Sequence, residues 1–137
     1  MQASANFNKS TDLLISTSKA FDGTDAVTKN VANHMMNEAI QNKVDENNKK
    51  MNDDSVNKQA EAEKMFETYK KMGNLPADAI FDDFTDKDGE LVIEWHSPGE
   101  ESKSGTPKSF QEINEAVSAY EVGQHVDEYA DKAKKAQ

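Results

Sequence analysis

Between Thr24 and Gly73 the chain reads as one long, interrupted amphipathic helix whose apolar stripe is too thin to make a globular core alone. Val27, Val31, Met35, Ile40 and Val44 recur at the three-to-four-residue spacing of one helix face, with Met36 and Ala39 beside them. That spacing predicts a helix over 25–50. From Asp45 to Asp54 the text turns to Asn, Asp and Lys, and side chains of Asn and Asp compete for backbone hydrogen bonds, so a fray or hinge is expected there. A second helix is expected over 55–72, capped by Ser55 or a preceding Asp. Its stripe is Val56, Ala60, Ala62, Met65, Phe66, Tyr69 and Met72, and Gly73 stands where a left-handed residue ends a helix. Continuous, the two segments would reach roughly 70 Å at about 1.5 Å per residue; folded back, they make a helical hairpin.

Composition sharpens this picture. Only 35% of residues are hydrophobic, mean hydropathy is -0.91 and net charge is -10, a balance near the border of folding on binding. All sixteen basic residues are Lys, which removes the bidentate fork that recognises guanine and phosphate, and nucleic acid is not an expected partner. The absence of Cys excludes disulfides and thiolate metal sites. No run approaches the roughly 18 apolar residues of a membrane span, and the start lacks a charged segment followed by an apolar core.

The opening residues, rich in Ser, Thr, Asn and Ala around Leu13-Leu14-Ile15, predict a disordered segment over 1–23, and Asp22-Gly23-Thr24-Asp25 supplies a turn and a helix cap. After Gly73, Pro76 and Asp78 suit the start of a short helix over 76–84 with Ala77, Ile80, Phe81 and Phe84 on one face. Asp88-Gly89 is a turn, and Leu91, Ile93 and Trp95 alternate with Val92, Glu94 and His96 as a strand over 90–96. A lone strand must pair, with 80–84 if that stretch is extended, with the loop beyond, or with another chain. Asp86, Asp88 and Gly89 suggest a calcium loop, but its first and twelfth positions would be Phe84 and Trp95, so the register refuses it. Residues 97–107 are a Ser/Gly/Pro/Glu-rich loop long enough to be mobile or functional. Ser109 to Glu112 fits a capping box, opening a helix over 109–134. Phe110, Ile113, Val117 and Tyr120 keep a coiled-coil rhythm that fails at Gly123.

Catalytic patterns are missing: there is no phosphate loop, no nucleophile elbow and no Cys, and His34, His96 and His125 stand apart. Carboxylate pairs such as Asp82-Asp83 are ordinary in so acidic a chain. The expected fold is mainly α, with long amphipathic helices as a hairpin or coiled coil and a small α/β insertion containing a short strand or hairpin, forming a single helical domain over 24–137. No enzyme activity, cofactor or metal is expected. The expected partner is a protein, held through Val27, Val31, Met35, Ile40, Val44, Met65, Phe66, Tyr69, Phe110, Ile113, Val117 and Tyr120.

A Ser/Thr-rich start, the polar amphipathic helix, Leu75-Pro76-Ala77-Asp78-Ala79-Ile80, the Asp-Gly turn and Phe110-Gln111-Glu112-Ile113-Asn114-Glu115-Ala116-Val117 together resemble the EspA/SseB-type type III secretion filament and translocator proteins over about residues 30–122. The resemblance implies a secreted assembly subunit acting through helix-helix, coiled-coil contacts, by self-assembly or with a helical chaperone, exported by a non-Sec, type III-like route with an uncleaved signal in the first residues. The competing reading from charge is a cytoplasmic acidic binding module, an adaptor, chaperone or phage-type inhibitor that mimics DNA and captures a basic protein.

Overall fold

The computed structural model describes residues 8–136 and is mainly helical, with a three-stranded antiparallel sheet. The order is α1 (Asn8–Thr17), a 3-10 turn (Lys19–Phe21), α2 (Ala26–Lys50), α3 (Lys58–Lys71), β1 (Ile80–Lys87), β2 (Glu90–His96), β3 (Lys108–Ser109), α4 (Phe110–Gly123) and α5 (Val126–Lys135). In place of one helical domain the chain divides into two compact units, residues 1–45 with 118–137 and residues 46–117. Each has its own apolar cluster. Among the described residues no helix is long and apolar enough to cross a membrane.

In the first unit, residues 8–23 are folded where disorder was expected; residues 1–7 lie outside the described part, and with them the start of the expected export signal. Ile15 and Phe21 are buried, so the Leu13-Leu14-Ile15 cluster does supply core, although Leu13 itself faces out. Asp25 caps α2 by accepting from the Thr28 amide at 2.8 Å. The buried face of α2 is Thr28, Ala32, Met36, Ile40 and Val44, one every fourth residue. This corrects the expected stripe at its N-terminal half, where Val27 is exposed and Val31 and Met35 are half-buried. Small Thr28 and Ala32 face inward and admit close neighbours, whereas the sequence pattern followed the large side chains. Burying Ile15, Phe21, Met36, Ile40, Val44 and Val122 stabilises this unit by roughly 1.5–3 kcal/mol per side chain. The helix expected over 109–134 is broken: α4 stops at Gly123, where an added Cβ would lie 3.2 Å from Leu14 Cδ1, and α5 begins at Val126.

The second unit takes the last turn of α2, α3, the sheet and the start of α4. Helix α2 runs unbroken to Lys50 and the chain then turns; the interruption expected over 45–54 falls at 51–57. Asn57, rather than Ser55, caps α3 by accepting from Ala60 N, while Ser55 N donates to Asp53. Gly73 (φ +87°) ends α3 in the left-handed region, as its position predicts. The helix expected over 76–84 is not formed. After one turn closed by Ala79 N to Pro76 O, the chain extends into β1 and pairs with β2 through Phe84 opposite Ile93 and Lys87 opposite Glu90. Aromatic and β-branched residues prefer that pleated surface, and pairing satisfies β2 as well. Asp88 and Gly89 both have positive φ, the backbone of a two-residue hairpin turn.

Ile93 and Trp95 on the inner face of β2 pack with Phe84, Phe66, Phe110 and Ile113 in one core. Deep in this unit Asn47 Nδ2 donates to Asn114 Oδ1 at 2.8 Å, and Asn114 Nδ2 donates to Asn48 Oδ1 at 3.3 Å. Asn114 is fully buried, and these bonds fix the register of the two helical segments, since a slip would bury unpaired amides. Glu112 does not act chiefly as the partner of Ser109 that a capping box requires: it accepts from the Tyr69 hydroxyl at 2.9 Å. Burial, then the hydrogen bond to and charge of Glu112, push the Tyr69 phenol up to about 12.

Candidate functional site

The outer face of the hairpin carries a connected set of ionisable groups, Asp82, Asp83, Lys87, Glu94, His96 and Lys103. Strand alternation that turns Ile93 and Trp95 inward turns Glu94 and His96 outward. A bulge between Phe81 and Asp83 lets both Asp82 and Asp83 reach this side. His96 Nδ1 lies 2.8 and 2.9 Å from the two Asp82 oxygens, and Asp82 Oδ2 accepts from the Lys103 amide at 2.7 Å. Because an ionised carboxylate only accepts, the ring carries its proton on Nδ1. Burial raises the Asp82 pKa, but the His96 ring, the Lys103 amide and the Ser102 hydroxyl outweigh it and leave the carboxyl below its usual range.

Glu94 is buried beside this pair. It meets Lys87 Nζ at 3.3 Å, Lys103 Nζ at 3.6 Å and the Thr85 hydroxyl at 3.4 Å. Lys103 also meets Asp83 at 3.5 Å, and Glu94 first, then Asp83, raises its pKa despite some desolvation.

The order of these groups decides what they do. In a nucleophilic triad the imidazole lies between hydroxyl and carboxylate, so that it can take the hydroxyl proton. Here Asp82 lies between Ser102 and His96 and accepts from both, which leaves the imidazole no hydroxyl to activate through this arrangement. The cluster is a clasp that ties loop 97–107 to the sheet. The loop's other end is tied to Trp95: Gly105 N donates to the Trp95 carbonyl at 2.9 Å, and Trp95 Nε1 donates to the Thr106 carbonyl at 2.8 Å. Residues 97–107, expected to be mobile or functional, are thus tied to the sheet near both ends.

His34 pairs with Glu38 and His125 with Glu128, both exposed, as their helical spacing allows. Among the described residues no three His, Asp or Glu side chains are placed to hold a metal ion. A polar depression of about 370 Å³ in the first unit is lined by Asp12, Asn30, Asn33, His34 and Asn37. Another of about 400 Å³ lies against Glu67, Thr68, Lys70, Lys71 and Ala77. Neither encloses a ligand-sized volume behind apolar walls.

The twelve residues expected to hold a partner are not gathered on one open surface. Ile40 and Val44 are buried in the core of the first unit, and Met65, Phe66, Tyr69, Phe110, Ile113 and Val117 in that of the second. Val31, Met35 and Tyr120 are half-buried and Val27 is exposed. Sequence reasoning set Asp82 aside as an ordinary carboxylate and His96 as an isolated histidine, and gave Glu94 and Lys103 no role. Glu94 and His96 were legible as the outer half of the strand, but Asp82 needed the hairpin register and its bulge. Comparison with protein-family models, curated proteins and solved structures finds no match for the chain.

Proposed function

We propose that this protein is a non-enzymatic binding module that captures a basic partner protein through the carboxylate-rich surface of its second unit. The observation that carries the reading is the uneven charge: residues 46–117 hold 17 Asp and Glu against 9 Lys, so -8 of the net -10 falls there. Asp86, Asp88, Glu90, Glu100 and Glu101 are exposed around the hairpin and its neighbouring loop. The apolar residues that a helix-driven assembly would use are, for the most part, spent inside the chain's own cores, and charge is what remains outside.

A second reading, the assembly subunit of type III secretion kind, is supported by Val27, Val31 and Met35, which follow one another at four-residue spacing on the less buried side of α2. The two readings part under salt and mutation. Partners recovered with the protein from its source cells are identified, and their affinity is measured from about 0.05 to 0.5 M salt, a range over which screening shortens from roughly 14 to 4 Å. Acidic capture predicts a basic partner, a steep loss of affinity, weakening by Asp86→Asn with Asp88→Asn and Glu90→Gln, and no effect of Val27→Asp. Salt-insensitive binding abolished by Val27→Asp with Met35→Asp would replace it with helix-mediated assembly.

A further inference from the structure

The outer edge of β1 holds a side chain where a neighbouring strand would lie. Gln59, the second residue of α3, donates from Nε2 to the Phe84 carbonyl at 2.9 Å and accepts at Oε1 from the Phe84 amide at 3.2 Å. A carboxamide offers the same donor and acceptor as a peptide group, so Gln59 makes the pair of bonds that one rung of an added strand would make. Both main-chain groups of Phe84 therefore point away from β2. In an antiparallel ladder such outward pairs recur at every second residue, which places the N–H and C=O of Asp86 on the same open side. Gln59 is itself exposed; its Nε2 also donates to Asp83 Oδ1 at 3.1 Å, and the Phe84 amide donates to that same Asp83 oxygen at 2.9 Å, so an incoming peptide takes this rung from the Gln59 and Asp83 side chains together.

The charge around this edge selects what can enter. Asp86 and Asp88 are exposed on the hairpin, and Glu63 is exposed one turn along α3 from Gln59. A second copy of the chain pairing antiparallel about Phe84 would bring two acidic β1 strands together, each with Asp82, Asp83 and Asp86 within two residues of Phe84, and like charges on neighbouring strands repel. An extended segment carrying Lys or Arg at alternate positions reverses that sign. We propose that β1 accepts such a basic segment of the partner as a fourth strand, with the Gln59 carboxamide swinging aside as the peptide enters. This rests on the acidic-capture reading above and specifies its site and the conformation of what is captured. Gln59 then guards an edge that would otherwise pair indiscriminately.

The probe is an acetylated, amidated eight-residue peptide alternating Lys and Thr, titrated into the full chain at low salt and compared with two versions N-methylated at every second residue, one in each phase. All three carry the same charge, but one methylated phase loses the donors that face β1. The expected result is that the unmodified peptide shifts the Phe84 and Asp86 amide resonances and moves the Gln59 side-chain signals to solvent-exposed values. One methylated phase should bind about tenfold more weakly or worse, and Gln59→Ala should bind the unmodified peptide several-fold more tightly. Equal affinity for all three peptides would overturn strand addition while leaving charge capture standing. No binding by any of them at low salt would overturn both. Binding that leaves the Gln59 signals unmoved would overturn the site. The wild-type comparison of peptides carries the test even if Gln59→Ala proves unstable.

Discussion

Gly105→Ala is the sharpest test of how loop 97–107 is held. A Cβ at this position would lie 2.4 Å from Trp95 Cε2, 2.5 Å from Cδ2 and 2.7 Å from Cζ2, against an optimal carbon separation of roughly 3.5–4 Å, so loop or ring must move by about 1 Å. The indole has little room: it is 8% exposed in the core with Phe84, Ile93 and Phe110, and its Nε1 is bonded to the Thr106 carbonyl. Overpacking of this kind costs about 1–3 kcal/mol. If the loop yields instead, the Gly105–Trp95 and Trp95–Thr106 hydrogen bonds go, each worth about 0.5–1.5 kcal/mol net. Either route gives about 1–3 kcal/mol, and both together about 2–6. Urea denaturation followed by fluorescence reads the change directly, since Trp95 is the sole tryptophan, and its emission should shift to the red as the loop lifts. Gly99→Ala is the control. It has φ +84° with open space around the added Cβ, so it bears backbone strain of about 1 kcal/mol and no change in emission. Loss below about 0.5 kcal/mol for Gly105→Ala, with unchanged emission, would refute the claim that the loop is packed on the ring.

Three further outcomes are expected. The Asp82 carboxyl sits below its usual pKa in the folded chain, so its stabilising contribution is present above the unfolded value, near 3.9, and is lost as pH falls through the folded value; amide exchange at 102–105 should quicken in that acid window, and Asp82→Asn should remove the pH dependence. Tyr69 is raised to about 12, so the stability it contributes is complete below about 10 and lost as pH climbs toward 12; ultraviolet titration of Tyr69→Phe against wild type should remove one late-ionising phenol. Ile40→Asp places a charge at a position with no exposure and should unfold the first unit, whereas Val27→Asp, 61% exposed, should change stability by less than about 0.5 kcal/mol in thermal melts.

What the sequence displayed well were features whose cause is local. The strand over 90–96, the helix reaching Lys50, the Asp-Gly turn and the left-handed Gly73 each follow from period, turn chemistry or capping within a few residues. What it hid depended on distant chain. Residues 80–84 carry an apolar spacing that suits a helix, and only the antiparallel partner across Asp88-Gly89 makes them a strand. Thr28 and Ala32 outrank Val27 and Val31 on α2 because their faces are packed, which no count of large side chains could reveal. The same blindness affected the first helix, where only Ile15 and Phe21 finding a core distinguishes 8–23 from a loose polar terminus.

The site follows the same division. Gln59 in the sequence is one glutamine among polar neighbours, and nothing local distinguishes it from the exposed face of a helix. Its meaning comes from Phe84, 25 residues on, whose amide and carbonyl are left outward by the pairing of β1 with β2. Edge strands left bare invite unwanted pairing, and proteins blunt them with bulges, charges or cover. All three occur here, in the bulge between Phe81 and Asp83, the Asp residues of β1 and the Gln59 carboxamide. Bulge and charge are fixed features, but a side-chain amide on a rotatable stem is removable, and it offers a partner the same hydrogen-bonding pair that it gives up. The first two devices exclude copies of the chain itself through geometry and like charge. The third leaves the edge open to a strand of opposite charge, which makes selectivity a consequence of how the sheet is protected.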